Sequence, residues 1–398
     1  MFLFGALSCQ HVPVGENKTS DEISSEIQSS KTEKVYPGAF RIQEYLPLLK
    51  NKRVGMVVNQ TSTIHQTHLV DTLLQLGVNI EMIFAPEHGF RGDHSAGEHV
   101  KSTVDAKTGI DIQSLYGNKK KPSADILSKV DIVVFDIQDV GVRFYTYIST
   151  MHYVMESCAE NNIPFIVLDR PNPNGHYVDG PCLKTEYKSF VGMHPVPLVH
   201  GMTIGEFAGM INGEGWLDGH KKCNLTVIPC VGYDHQYLYS LPIRPSPNLP
   251  NMSSVYLYPS LGLFEGTRVS LGRGTPYPFQ ILGTPDNKEL SYSFTPVSIP
   301  GVADKPPFEN QKCFGISLKP LADSISKQPF IDFYWLKYFY QTSTDTAQFF
   351  NAMFNKLAGN GELKEQIKAQ KSDAEIRESW KVDLQAFRTL RKKYLLYP

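Results

Sequence analysis

Four short apolar runs, each followed within a few residues by a polar cluster, constrain this chain more than any other feature. Arg53–Val58 (RVGMVV) leads into Asn59 and Gln60, and Ile80–Phe84 (IEMIF) leads into Glu87 and His88. Ile132–Phe135 (IVVF) leads into Asp136 and Asp139, and Phe165–Leu168 (FIVL) leads into Asp169, Arg170 and Asn172. Runs of this length, apolar on consecutive positions, read as strands buried on both faces. Between them the pattern changes to helical spacing, with Gly77 stopping the helix of residues 68–76 and a longer helix spanning Thr146–Glu160. Strands that alternate with helices build a parallel βαβ sheet, and such sheets bind ligands beyond their C-terminal strand ends. Four polar clusters in that one topological position are expected to line a single cleft.

The second cluster is the densest. Residues 80–100 read IEMIFAPEHGFRGDHSAGEHV, so one glycine-punctuated loop holds Glu87, His88, Arg91, Asp93, His94, Glu98 and His99. Ionisable groups are costly to place beside a buried strand unless they face a cleft. Glu87, flanked by Phe84, Pro86 and Phe90, is expected to keep its proton through desolvation and to serve as an acid. A rival reading gives His88, Asp93, His94 and His99 to a divalent metal, although their spacing matches no strong ligand pattern.

Downstream, Thr203 and Glu206 fit a capping box that opens a helix to about Asn212, and Leu225–Ile228 is a further strand. From Pro242 the texture turns proline-rich and aromatic and carries Asn248, Tyr258, Glu265, Arg268 and Arg273. A domain boundary is placed there, giving 35–250 as an α/β domain and 251–398 as a smaller α+β domain. Within the latter, Cys313–Leu318 reads as a strand, and Ser372 caps a helix carrying Trp380 and Phe387. There is no G-x-G-x-x-G turn after the first strand, no P-loop, no G-x-S-x-G elbow and no H-E-x-x-H helix. With 39 Lys+Arg against 40 Asp+Glu and no basic stripe, nucleic acid is not an expected partner. No organic cofactor or metal is required by these motifs.

Residues 1–34 stand apart. An apolar start (MFLFGAL) runs into Ser8-Cys9, as in the tail of a lipoprotein signal whose cysteine is acylated, although no basic residue precedes it. A polar Ser/Glu/Lys/Thr tether follows, with a coil-like reach of about 25–30 Å. A lipid-anchored protein of the periplasm or cell envelope is expected. Cys223 and Cys230 flank a strand whose ends lie roughly 23 Å apart, too far for a disulfide, and the remaining cysteines are expected to be free thiols.

Several of these residues also have plain structural explanations. Asp139 and Arg143 could form a local ion pair, and Tyr145 and Tyr147 could pack rather than stack on a sugar. Asp169 and Arg170 could brace their loop, and His200 could be a hydrogen-bonded loop histidine.

The blocks APEHGFRGDHSAGEHV, VFDIQDVGVRFYTYIST, LDRPNPNG, PLVHGMTIGEFA and SPNLP…YPSLGLFEGTRVSLGRGT, in this order, resemble the NamZ-type exo-β-N-acetylmuramidases. The likeness extends from about Gly38 to the C-terminal SWKVDLQAFRTLRKKYLLYP. It implies a Rossmann-like catalytic domain followed by an auxiliary domain. It also implies release of N-acetylmuramic acid from the non-reducing ends of peptidoglycan fragments. The family's catalytic glutamate lies in the motif that reads PEHG here, which maps it onto Glu87.

Glycoside cleavage needs an acid and a second group for the oxocarbenium-like centre. Asp136 and Asp139 are the candidates for the second role, with attack by the sugar's own acetamido group as the alternative. The lactyl carboxylate of muramic acid calls for a planar bidentate donor, and Arg91, Arg143, Arg268 and Arg273 are candidates. The expected substrate-binding set is completed by Asn59, Gln60, His88, Asp93, Tyr145, Asp169, Asn172, His200, Asn248, Tyr258 and Glu265. Two other functions share the same residues: a metal-dependent hydrolase, and a lipoprotein that binds muropeptides without cleaving them.

Overall fold

A computed structural model describes residues 34–87, 89–90, 103–117 and 120–398. The tether and Cys9, and also His88, Arg91, Asp93, His94, Glu98 and His99, lie outside the described residues.

The four apolar runs become adjacent parallel strands of one seven-stranded sheet. In chain order these strands are β1 (Val54–Val58), β2 (Ile80–Ala85), β3 (Thr103–Val104), β4 (Asp111–Ser114), β5 (Ile132–Asp136), β6 (Phe165–Leu168) and β7 (Leu225–Ile228). Their spatial order is β3-β4-β2-β1-β5-β6-β7, parallel throughout except for the short edge strand β3. Val54 of β1 pairs with Ile80 on one side and with Ile132 on the other. The chain first builds outward from β1 through β2 to β4 and then returns to β5 on the opposite flank. This reversal is where an open α/β sheet opens its crevice.

Both faces of the sheet are covered. On one face the helices α1 (Ile42–Leu49) and α2 (Leu69–Gln75) pack Tyr45, Leu49, Val70 and Leu73 against Met56 and Val58. On the other, α3 (Tyr147–Glu160) and α4 (Ile204–Gly213) pack Met151, Met155, Phe207 and Ile211 against Val57, Val133 and Val167. Residues 1 and 3 of a strand point one way and residue 2 the other, so a run apolar at every position satisfies two layers at once. The capping box expected at Thr203 and Glu206 is present with both of its hydrogen bonds.

The region after residue 250 adds helix α5 (Met252–Leu261) and a three-stranded antiparallel sheet. Its strands are β8 (Ile281–Thr284), β9 (Tyr292–Phe294) and β10 (Cys313–Ser317), with β10 in the middle. One expectation there is corrected. The helix capped by Ser372 ends at Glu378, and a separate helix, α6 (Lys381–Arg391), carries Phe387. The break lets Trp380 bury its indole edge-on against Phe333 at 5.8 Å. From Tyr36 to Pro398 the chain forms a single compact unit. Side chains tie the two regions across residue 250: Arg377 to Asp179, and Tyr397 to Asp169. Cys158, Cys182, Cys223, Cys230 and Cys313 are all free, as expected. Among the described residues no helix is long and apolar enough to cross a membrane.

Candidate active site

The polar strand ends do gather on one edge of the sheet, but most of them brace one another instead of lining the cleft. Asp136, at the end of β5, is fully buried and receives Arg170 Nε at 2.5 Å and Nη2 at 2.8 Å. A carboxyl so paired is held in place, and Asp136, expected as a catalytic candidate, is turned to Arg170 and does not line the cavity that lies above. The expected Asp169–Arg170 brace is instead this Asp136–Arg170 pair. Asp169 accepts from Thr203 Oγ1, the Gly205 N–H and Tyr397 Oη, and so fixes the start of α4 and the C-terminal tail. Burial pushes its carboxyl up to about 6. Asn172 is spent on the Met202 carbonyl and the Asn174 N–H. Neither residue reaches the cleft.

Above this scaffold lies a cavity of about 770 Å³. Glu87, two residues beyond β2, forms part of its wall and is half-buried. Thr146 Oγ1 donates to Glu87 Oε2 at 3.0 Å. Tyr145, Tyr147 and Tyr258 stand around the same space, Tyr145 edge-on to both of the others at 4.9 and 5.9 Å. Their hydroxyls are oriented from behind. Asn59 Nδ2, at the end of β1, donates to Tyr147 Oη at 3.0 Å, Tyr147 bonds to Tyr145, and Tyr145 Oη donates to the Pro245 carbonyl at 2.7 Å. Burial raises the phenols of Tyr145 and Tyr258, with Glu87, Asp139 and Glu265 among the charges adding to it. These rings are therefore neutral, apolar-faced walls with fixed polar edges, the surface a pyranose needs.

Asp139 is buried just behind. Its Oδ2 accepts the Gly141 N–H at 2.7 Å, while its Oδ1 has no partner among the described residues. Burial pushes the carboxyl up to about 7, against the pull of the Gly141 and Val140 N–H groups. It does not line the cavity, and it senses Tyr145, Tyr147 and Tyr258 through space.

Arg91 lies outside the described residues, and the other three expected arginines separate cleanly. Arg143 forms no ion pair with Asp139. It is fully buried, and its guanidinium donates to the carbonyls of Pro181, Val196, Leu357 and Ala358 at 2.7–2.9 Å. It staples residues 181–196 to the 357–358 segment and, with its Nε buried without a partner among the described residues, does not line the cavity. Burial lowers it to about 10. Arg268 lies in a separate groove, 3.6 Å from Asp345. Arg273 lines the cavity, ion-paired with Glu265, which also lines it.

Of the other expected residues, Asn248 lines the cavity, and its Nδ2 holds the Val302 carbonyl at 2.8 Å. Gln60 is occupied by the carbonyls of Arg244 and Pro245. His200 is buried away from the cavity, receives the Met202 N–H at 3.2 Å and is pushed down to about 3 by burial, so it is a structural histidine. The wall also contains Thr146, Ser246, Phe279 and the 302–306 loop with Asp304 and Lys305, none of them foreseen. Thr146 carried a signal, since it sits at the N-cap of α3, where a hydroxyl often serves. The 302–306 loop carried none, because only the packing of the second region brings it here.

A mostly parallel α/β sheet beside a cavity lined by a half-buried carboxyl, oriented tyrosines and an ion-paired arginine defines an α/β protein with an enzyme-like cleft. The chain belongs to the exo-β-N-acetylmuramidase NamZ family: residues 54–253 match its N-terminal part and residues 256–397 its C-terminal part. It is 40% identical over 394 residues to the peptidoglycan β-N-acetylmuramidase NamZ of Bacillus subtilis (strain 168), covering 94% of each chain. A DUF1343 family protein of Bacteroides fragilis NCTC 9343 has a crystal structure that superposes with a TM-score of 0.86 at 48% identity, over 92% of this chain and 99% of that one. A second such protein from the same strain superposes with a TM-score of 0.74 at 29% identity, over the same shares of each chain.

Proposed function

We propose that this chain is an exo-acting β-N-acetylmuramidase that releases N-acetylmuramic acid from the non-reducing ends of peptidoglycan fragments, with Glu87 as the general acid. Family membership supports the reaction. The placement of Glu87 carries the residue assignment: among the described residues it is the one strand-end carboxyl of the expected set that reaches the cavity, and Thr146 Oγ1 donates to it. Glu87 protonates the glycosidic oxygen as the bond to the anomeric carbon lengthens. The tyrosine walls seat the sugar ring and exclude water from the bond being broken. The second role falls to Asp139 or to the substrate's own acetamido group, since Asp136 is committed to Arg170. The region after residue 250 contributes Tyr258, Arg273 and the 302–306 loop to the cavity wall.

The test uses an aryl β-N-acetylmuramide and the matching β-glucosaminide, with and without EDTA, on the wild type and Glu87→Gln. Turnover of the muramide that survives EDTA and disappears in Glu87→Gln is the expected result. No turnover of either substrate leaves a binding protein. Loss in EDTA transfers the chemistry to a metal held by the loop of His88, Asp93, His94 and His99. Activity that persists in Glu87→Gln moves the acid elsewhere. We also place the protein at the cell envelope through acylation of Cys9, a reading supported by the Ser8-Cys9 junction and by the nature of the substrate. Fatty-acid labelling that is equal in the wild type and Cys9→Ala would overturn it.

A further inference from the structure

Arg273 sits on a loop that can be built in only one way. Gly272 and Gly274, on either side of it, have φ of +76° and +78°, in the left-handed region that L side chains avoid. A Cβ at Gly272 would stand 2.5 Å from Ile281 Cγ1 and 2.7 Å from the Tyr277 carbonyl, and one at Gly274 would strike the Val297 carbonyl and Pro306. The two glycines thus turn the chain tightly against β8 and the 297–306 segment. The residue between them is projected into the cavity.

The side chain itself is held on two sides. Its guanidinium lies over the Phe279 ring at 5.0 Å, and Nη2 pairs with Glu265. A stacked guanidinium loses little freedom on binding, because its plane is already set. Glu265 takes one N–H of Nη2, so the second N–H of Nη2 and its neighbour on that side of the plane keep one two-donor edge open, and the side chain keeps about a fifth of its surface open. Among the described residues no other arginine lines the cavity, and Arg143 and Arg268 are committed elsewhere. Glu87 is close enough to act on the charge of Arg273, so the guanidinium and the proposed acid share one binding space.

From this geometry we infer that Arg273 is the specificity-determining residue of the site: it reads the carboxylate of the substrate's 3-O-lactyl group, and Glu265 and Phe279 position it. The inference rests on the muramidase reading and names what distinguishes a muramic acid from a glucosamine within it. N-acetylglucosamine carries a hydroxyl at that position and offers no anion. The lactyl carboxylate is planar, and two donors of one guanidinium match its two oxygens.

The test compares the binding of N-acetylmuramic acid with that of its lactamide, in which the carboxylate becomes a neutral amide of nearly the same size. The wild type should bind the acid about 10- to 100-fold more tightly, the range of charge-assisted hydrogen bonds. In Arg273→Met this preference should collapse toward one. In Arg273→Lys, which keeps the charge but loses the fork, it should fall to an intermediate value. A purely structural role would weaken both ligands equally, and an unchanged ratio in Arg273→Met overturns the inference. If Arg273→Met does not fold, Glu265→Gln provides the reading, since an arginine freed from its positioning partner should lose at least part of the preference. A ratio unchanged there also overturns the proposal. If wild-type protein turns over no muramide and binds neither ligand, the muramidase reading falls with it. Turnover with an unaltered preference in the variants removes the role of Arg273 alone.

Discussion

Thr146 Oγ1 donates to Glu87 Oε2 at 3.0 Å, although Thr146 is the N-cap residue of α3, where its hydroxyl would ordinarily bond to the helix's own N–H groups. The helix start has given up its cap to the carboxyl beyond the neighbouring strand. Thr146→Val should therefore lower kcat by roughly tenfold, the size of one lost hydrogen bond. The melting temperature should hardly move, because no capping bond is removed. Steady-state kinetics beside a thermal melt will separate the two effects, and a large melting shift with intact kcat would contradict this relationship.

Asp136→Asn should damage the fold and not the chemistry. The substitution leaves Arg170 buried beside a neutral amide, and breaking a buried pair from one side costs about 3–5 kcal/mol. Urea denaturation should show that loss. The refolded fraction, titrated with an active-site ligand, should keep its turnover per site.

Arg143→Lys tests a buried staple. Four carbonyls converge on the guanidinium, and an ammonium on a shorter reach satisfies fewer of them, so a loss of about 2–4 kcal/mol is expected. The preference for the lactyl acid over its amide should be unaffected. A changed preference with unchanged stability would return Arg143 to the binding site.

The buried carboxyl of Asp139 makes stability depend on pH in a specified direction. Its folded value of about 7 lies above the ordinary unfolded value near 3.8. Between these two pH values the folded state holds a proton that the unfolded state has released, so stability falls as pH rises through that window. The contribution is fully present below about pH 4 and gone above about pH 7. Asp139→Asn removes it. Relative to the variant, the wild type should lose a few kcal/mol between pH 4 and pH 8, measured by chemical denaturation. Parallel curves for the two proteins would show that Asp139 does not titrate there.

The strands and their polar ends were readable because their causes are local. A run such as IVVF is apolar at every position because both faces of β5 are covered, and the Thr203–Glu206 cap needs only residues three apart. The position of Glu87 on the cavity wall was readable for the same reason: an ionisable group straight after a buried strand is costly unless it faces open space.

The sequence by itself thus determined a parallel sheet and the edge at which its polar strand ends gather, since hydrophobic period and capping act over a few residues. Only the tertiary structure decided which of the remaining polar groups face the ligand. Asp136 and Arg143 looked as suited to a sugar as Arg273 does, yet their partners lie 34 residues away in one case and 38 to 215 in the other. A buried charge takes its role from whatever reaches it first, and for these residues that is a guanidinium or a carbonyl brought in by long-range packing. Arg273 remains turned to the cavity because two glycines and a phenylalanine leave its free donors no other direction.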